Sequence, residues 1–529
     1  MNKHNQSIND AIKFFQQGDL KSSKEIASNI IKIDASNIDG NFLFGIILNE
    51  EKEFTRALQY FDLVIKKKPN DPEVWNYRAI SLFNINRIED SIVNFEKALD
   101  LGIIHRERVL KNIILAIFQK NKNKSNADYS KIIKYSKEVL NFNNQDAQVL
   151  INLGLAYIYQ MELDKAIRTL KDAIKINPNL KNAYTNIGLA YKYMNNFEMS
   201  EVYYKKSLNL GDQDEVRIYL GEAQLSQSKF AEGWKNYTYY AFKLKNNFFS
   251  NATIPLWNPN LGYGDILIWG QYGLGEQILY SSILPDVIKK FKKVSFMVEK
   301  RLVEIMSRTY NQIEILEYKN DIDFSSFDYH LPITSLGLYF RKSLNDFKNH
   351  HQILKVENQQ FISRKNLRCA ISWKSTNPEF GILKSLDFNS FVAVIKMLKS
   401  MNVEIYNIQY TDENEDIDRI KSEYNIDIIS PENINVKNDI DSLAKFINDC
   451  DFVISISNTN AHLSAAINKK TYLLLSKGVG TLWYWENELD GKNFWYPSIS
   501  KLQQKNSGDW SHVINQLNFQ IQRDFPLFF

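Results

Sequence analysis

Internal repetition with a period of 34 residues constrains this chain more than any other feature of its sequence. Ala57, Phe61 and Ile65 recur as Ser91, Phe95 and Leu99. Leu153, Gly154, Tyr157 and Ala166 recur as Ile187, Gly188, Tyr191 and Ser200. A repeat of that length holds two helices, neither of which can bury its apolar stripe alone, so neighbouring hairpins must stack. Small residues let the helices approach, large ones fill the groove between hairpins, and Pro178 stops a second helix. Gly45 and Ala79 fit the same frame, whereas Gly154 follows Ala79 by 75 positions, two repeats plus seven, which predicts an insertion near Asn121 to Asn126. The pattern stops after Phe230-Ala-Glu-Gly-Trp234, so about seven hairpins are expected over residues 1–240. Trp75, Tyr157 and Tyr191 recur at core positions and read as packing residues rather than ligand contacts.

The segment Ala147 to Asn179, with Leu153, Gly154, Tyr157, Ala166, Ala173 and Pro178 in place, resembles the tetratricopeptide repeat. A stack of such hairpins offers a concave face suited to a protein or peptide partner and holds no chemistry of its own.

Length and charge bound the rest. A chain of 529 residues exceeds one hydrophobic core and implies two to four domains. With 65 Lys+Arg against 61 Asp+Glu the net charge is +4, too balanced for a partner of polyphosphate character, so no nucleic-acid binding is expected. The Lys-rich runs Lys66 to Lys68 and Lys289 to Lys293 read as solvated helix faces. Cys369 and Cys450 flank apolar runs and read as small core residues, which fits a reducing compartment. No run approaches the roughly 20 apolar residues of a membrane helix, and the start MNKHNQSINDAIKFF lacks an apolar region, so a cytoplasmic protein is expected.

Beyond a polar linker at 241–263 the rhythm changes. Apolar runs at Ile266 to Trp269, Val294 to Val298, Ile313 to Leu316, Cys369 to Trp373, Val403 to Ile408, Phe452 to Ile456 and Tyr472 to Leu475 alternate with amphipathic segments. This predicts parallel sheets covered by helices, divided near His350 to Asn366 into lobes at 264–360 and 361–529. Ligands of such sheets sit at the carboxyl ends of the strands. Three following loops carry polar chemistry. Gln271-Tyr-Gly-Leu-Gly-Glu276-Gln277 opens a helix with a carboxylate at its start. Lys374-Ser375-Thr376-Asn377, with Lys384-Ser385 beyond, offers cations and hydroxyls to an anion. Ser457-Asn458-Thr459-Asn460-Ala461-His462-Leu463 turns into a helix whose amino terminus suits a phosphate. Each loop also has a structural reading: a glycine turn, a surface lysine, a helix cap with a core histidine. Their co-occurrence after three strands points to a phosphorylated ligand.

The stretch from about Gly233 to Trp510 resembles the glycosyltransferase domains found behind tetratricopeptide repeats in bacteria. These are related to the heptosyltransferase family and more distantly to the O-linked N-acetylglucosamine transferases. The resemblance rests on Glu232-Gly-Trp234, Gly273-Leu-Gly275, Phe327-Asp-Tyr-His330-Leu-Pro332, Ile371-Ser-Trp373, Lys384-Ser385, Gln409-Tyr410, Ala461-His-Leu463 and Trp495-Tyr-Pro497, in family order. It implies a helical-repeat solenoid followed by an α/β two-lobed GT-B-like domain with parallel sheets, which transfers a sugar from a nucleotide-sugar donor to a protein or glycan acceptor. Donor contacts are then implied at Gly275, Lys374, Ser375, Thr376, Lys384, Gln409, Ser457, Asn458, Thr459 and His462. Glu276 occupies the place of the catalytic base, and His330 is a further candidate near the acceptor. Relatives usually show Asp where this chain has Glu276, and often Asp-Thr where it has Ser457-Asn458. The alternative is therefore a non-catalytic adaptor with a degenerate transferase-like domain. No cofactor is expected. The pairs Asp321/Asp323, Asp416/Asp418 and Asp439/Asp441 are read as chance, and no metal is expected.

Overall fold

The computed structural model describes residues 3–121, 128–239, 252–319, 322–347, 353–357, 364–377, 380–411, 413–478 and 480–528. An amino-terminal series of fourteen helices is followed in sequence by an α/β region with parallel sheets. The helices pair as α1 (Lys3–Gln16) with α2 (Leu20–Ile33), α3 (Ile38–Glu50) with α4 (Phe54–Lys67) and α5 (Pro72–Asn84) with α6 (Ile88–Asp100). Next come α7 (Arg106–Asn121) with α8 (Ser130–Phe142) and α9 (Ala147–Tyr159) with α10 (Leu163–Ile176). The last two pairs are α11 (Lys181–Tyr193) with α12 (Phe197–Asn209) and α13 (Asp214–Ser226) with α14 (Phe230–Tyr237). The expected insertion begins as an extended α7 of 16 residues, and its remainder, 122–126, lies outside the described residues.

Three repeated devices explain the period. In three hairpins a glycine of the first helix faces a large residue of the second: a Cβ on Gly45, Gly154 or Gly188 would come within 2.6, 2.5 or 2.6 Å of Phe61, Leu170 or Tyr204. Where serine replaces the small alanine of the second helix, its buried hydroxyl donates to a carbonyl twelve residues earlier, Ser23 to Ala11, Ser91 to Ala79 and Ser200 to Gly188. The polar atom is thus satisfied, and the small volume is kept. The turn inside the hairpin places one residue in the left-handed region, Gly18, Lys52, Asn86, Met161, Asn195 and Ser228 in turn.

The chain divides into two compact units, Met1–Asn179 and Leu180–Phe529. The repeat pattern runs to Tyr237, yet its last two hairpins belong to the unit that holds the sheets. Trp234 is the reason. Fully buried, it donates to the carbonyl of Arg341 at 2.8 Å, and its ring lies edge-on to Tyr280, Trp483 and Trp495. A Cβ on Gly337 would approach that ring to 2.4 Å. Asn487 adds a bond to the carbonyl of Leu225. Residues 241–251 of the expected linker, and 350–352 and 358–363 of the expected break between lobes, lie outside the described residues.

The first sheet is parallel with order β3 (Glu314–Glu317), β2 (Lys293–Val298), β1 (Asp265–Trp269), β4 (Tyr329–Pro332). Ile268 sits between Phe296 and Leu331 in register. The second is parallel with order β11 (Ile499–Gln503), β8 (Thr471–Leu475), β7 (Phe452–Ile456), β5 (Arg368–Ser372), β6 (Glu404–Asn407). A two-residue pair, β9 (Glu488–Leu489) with β10 (Lys492–Asn493), is antiparallel. The edge strand β11 reads Ile-Ser-Lys-Leu-Gln, with only Ile499 and Leu502 buried, so it gives no continuous apolar run. Cys369 and Cys450 are free and buried in the second sheet's surroundings, where desolvation raises both thiols, Cys450 to about 12. Among the described residues no helix is long and apolar enough to cross a membrane.

Lys52 is exposed at φ 63°, so its side chain adds steric cost to the turn and touches nothing that compensates. Lys52→Gly is expected to stabilise the repeats by about 0.5–1 kcal/mol, and Lys52→Val to destabilise them by at least as much. Urea unfolding followed by far-UV circular dichroism checks both signs.

Candidate functional site

Strand β1 ends at Trp269, and the chain turns through Tyr272, held at φ 63°, into α15 (Leu274–Ser281). Gly273 is the extended cap residue and has no side chain to satisfy the helix start. Glu276, three residues on, reaches back and accepts from the Gly273 N–H. This is the return half of a capping box. Two other glycines are set by contact: a Cβ on Gly270 would lie 2.5 Å from Gln277, and one on Gly275 would lie 2.5 Å from the His462 ring. His462 stands on α19 (Thr459–Ala466), the helix that follows β7. The glycine therefore lets a helix of the first sheet rest directly on a helix of the second.

Around that contact lies a buried polar chain. His462 Nδ1 is 3.0 Å from the Tyr496 hydroxyl, its Nε2 is 3.2 Å from the Tyr484 hydroxyl, and Trp485 leans on its ring. Tyr484 also bonds Glu276. Burial, reinforced by the Lys384 charge, lowers the His462 pKa to about 3 and keeps the ring neutral. Burial raises the Glu276 pKa, a shift that hydrogen bonds and Lys384 oppose. Lys384 is itself buried, and desolvation lowers its pKa against the pull of Glu276. Glu276, in the helix after β1, and Lys384, in the segment after β5, are thus coupled electrostatically.

The loops at the carboxyl edge of the second sheet are tied by one run of bonds. Asn458 caps α19 by accepting from the N–H groups of Asn460 and Ala461, and its amide donates to the Ser372 hydroxyl at 2.8 Å. Ser372 donates on to Gln409 Oε1, which also accepts from the N–H groups of Trp373 and Lys374 at 3.0 and 2.9 Å. Gln409 Nε2 donates to the Lys374 carbonyl and to Thr411. The loops after β7, β5 and β6 are thereby fixed to one another.

A cleft of about 590 Å³ opens beside these loops. Leu274 opens α15 after β1, and Arg301 follows β2; Thr376, Tyr410, Thr411, Thr459 and Asn460 follow β5, β6 and β7. Val436, Lys437 and Ile440 complete the wall, the last opening α18 (Ile440–Asp449). In both sheets the strand order reverses beside the first strand, which is where ligands of such sheets bind.

Of the residues expected from the sequence, Thr376 and Thr459 line the cleft, while Glu276, Lys384 and His462 belong to the buried polar group at the place where Gly275 of α15 rests on the His462 ring. Lys374 does not line it. Its ammonium is held by Glu413 and by Asp416 at 2.6 Å. Ser375 accepts no role at the wall; its N–H donates to Ser385. Ser457 is buried and accepts from Trp485 at 3.0 Å. His330 is buried on β4, its Nδ1 3.2 Å from the Trp269 indole nitrogen, and desolvation lowers its pKa to about 4. It is not part of the cleft wall. Among the aspartate pairs, Asp323 and Asp439 cap helices, Asp416 holds Lys374, Asp441 meets Arg308 and Lys445, and Asp418 is exposed, while Asp321 lies outside the described residues. Sequence reasoning missed Arg301 and Lys437, although Arg301 does follow a strand directly.

Several comparisons bear on these features. The family described as "TPR repeat" matches residues 154–194, and "Tetratricopeptide repeat" matches 182–214. Those segments are tetratricopeptide repeats and indicate a protein-interaction role. Protein FlbA of Caulobacter vibrioides is 23% identical over 288 residues, 49% of this chain and 46% of that protein. The peroxisomal targeting signal receptor of Candida glabrata is 31% identical over 81 residues, 15% of this chain and 14% of that protein. The chain thus spans less than half the length of these curated relatives. Among solved structures, YrrB, a repeat protein with an unusual peptide-binding site, is similar at 16% identity and TM-score 0.33, over 36% of this chain and 94% of that one. A tetratricopeptide repeat protein from Parabacteroides merdae is similar at 15% identity and TM-score 0.35, over 46% of this chain and 94% of that one.

The two buried histidines carry a pH signature. Their folded pKa values, about 3 for His462 and about 4 for His330, lie below the 6.5 of the unfolded chain. The contribution is complete above pH ~6.5 and is lost as pH falls, because the unfolded chain then binds the extra protons. Going from pH 7 to pH 5 each should cost about 2 kcal/mol. His462→Gln is expected to flatten that slope by about this amount. Urea unfolding followed by tryptophan fluorescence reads it, since eight of the nine tryptophans lie in Leu180–Phe529. An unchanged slope would show that His462 is not held neutral.

Proposed function

We propose that the chain is a glycosyltransferase that moves a sugar from a nucleotide-sugar donor to an acceptor, a protein or a glycan, recruited by the repeats. The observation that carries this reading is the cleft at the carboxyl ends of strands from both sheets, whose wall includes Leu274, two residues before Glu276, a carboxyl group that burial raises. In this reading the acceptor hydroxyl gives its proton to Glu276 as its oxygen attacks the anomeric carbon. The bond from that carbon to the diphosphate breaks, and cations and helix-start N–H groups stabilise the departing charge. A carboxyl group raised by burial is a stronger proton acceptor near neutral pH than an exposed one. The Lys384 charge opposes that rise.

A second reading is a non-catalytic adaptor, and one observation favours it. Lys374, Ser457, Asn458 and His462 already spend their hydrogen-bonding capacity on other protein groups.

One experiment separates the two. Uridine, guanosine, adenosine or thymidine diphosphate should raise the melting temperature of the full chain, since a ligand of the folded state stabilises it by mass action. Glu276→Gln should slow transfer roughly 100-fold or more with donor affinity unchanged. The acidic limb of the rate profile, which reflects protonation of Glu276 as pH falls, should disappear in that variant. No shift with any of the four ligands supports the adaptor and sinks the transferase.

A further inference from the structure

The cleft wall contains two cations and no carboxylate. One cation, Arg301, follows β2 of the first sheet; the other, Lys437, precedes α18 beside the second. Arg301 is pre-set: its Nε donates to both carboxylate oxygens of Glu299 at 3.0 Å, and its Nη1 donates to the carbonyl of Lys437 at 3.0 Å. That leaves Nη2 without a bond among the described residues. The Lys437 ammonium is exposed and has no partner among them either. By contrast Lys374 is neutralised by two acids and Lys384 is buried against Glu276.

Three of the acids near the clamp have partners of their own, while Glu304 is exposed beside it. Glu299 holds Arg301, Asp439 caps α18 through the Ser442 N–H, and Asp441 is paired with Arg308 and Lys445. Thr376, Thr411 and Thr459 line the same cleft, the Thr411 hydroxyl being held by Gln409 and Glu413. A guanidinium with a free donor and a neighbouring ammonium, contributed by segments that follow different sheets, suit two linked anionic groups better than one.

We infer that Arg301 and Lys437 form a two-cation clamp for a diphosphate, so the anionic part of the ligand is read by a residue from each half of the fold rather than by Lys374. This inference rests on the donor-site reading above and deepens it.

Isothermal titration of the full chain tests it with the four nucleoside diphosphates, their parent nucleosides and inorganic pyrophosphate as probes. Lys437→Ala changes an exposed side chain, and Arg301→Lys keeps the charge while losing the planar fork, so both should fold. Expected is a fall of ten-fold or more in diphosphate and pyrophosphate affinity for Lys437→Ala and for Arg301→Gln, a smaller fall for Arg301→Lys, and nucleoside affinity within two-fold of the parent chain. If diphosphate affinity is unchanged in these variants but lost in Lys374→Ala or Lys384→Ala, the clamp is overturned and the donor site stands. If pyrophosphate binds through Arg301 and Lys437 while no nucleotide binds better than it, the clamp stands and the nucleotide-sugar reading falls. If the parent chain binds none of the probes, both are overturned.

Discussion

The absence of a side chain at Gly275 is the constraint on which the rest of the α/β region depends. A single Cβ there would stand 2.5 Å from the His462 ring. Because it is missing, α15 and α19 seat against each other, and each brings the loop at its own start to the same place. Any larger residue forces the helices apart by more than packed interiors absorb without loss. The buried tyrosines around His462 follow from the same contact, since a neutral imidazole between two hydroxyls is satisfied where a charged one would be expensive.

The carboxyl-edge loops are held by a second device, the Asn458–Ser372–Gln409 run. The side-chain amide of Gln409 spends both its oxygen and its nitrogen on protein atoms, which is the behaviour of a group that positions others. The consequence for chemistry is a pre-shaped cleft: little rearrangement is required of three loops when a ligand enters, so less of the binding energy is consumed in ordering them. The polar residues with capacity to spare are those on the wall, Thr376, Thr459, Arg301 and Lys437, not those that fasten the loops.

Much of this was legible in the sequence. The 34-residue period announced the hairpins because the same steric problem recurs in each, a small residue facing a large one, as at Gly154 and Leu170. The runs that became β1, β2, β5, β7 and β8 were readable because strands buried on both faces are continuously apolar. The edge strand β11 was not, since Ser500, Lys501 and Gln503 interrupt it. The site was legible to the level of its loops, and no further. Whether Lys374 is available to a ligand depends on Glu413 and Asp416, which lie 39 and 42 positions away in sequence. Arg301 and Lys437 meet only after folding across 136 positions, a juxtaposition that no local pattern encodes. The place where the compact units divide was hidden for a similar reason: Trp234 looks like an ordinary repeat aromatic until Gly337 and Arg341 are seen against it.

Hydrogen exchange on the full chain, with and without a saturating nucleoside diphosphate, tests most directly the claim that loops of both sheets form one ligand cleft. The account predicts added protection together in the segments around Glu299–Arg301, Lys374–Thr376, Gln409–Thr411, Val436–Ile440 and Asn458–Ala461, with the helices of Met1–Asn179 unaffected. Protection confined to the segments of one sheet, or to the repeat helices, would contradict it.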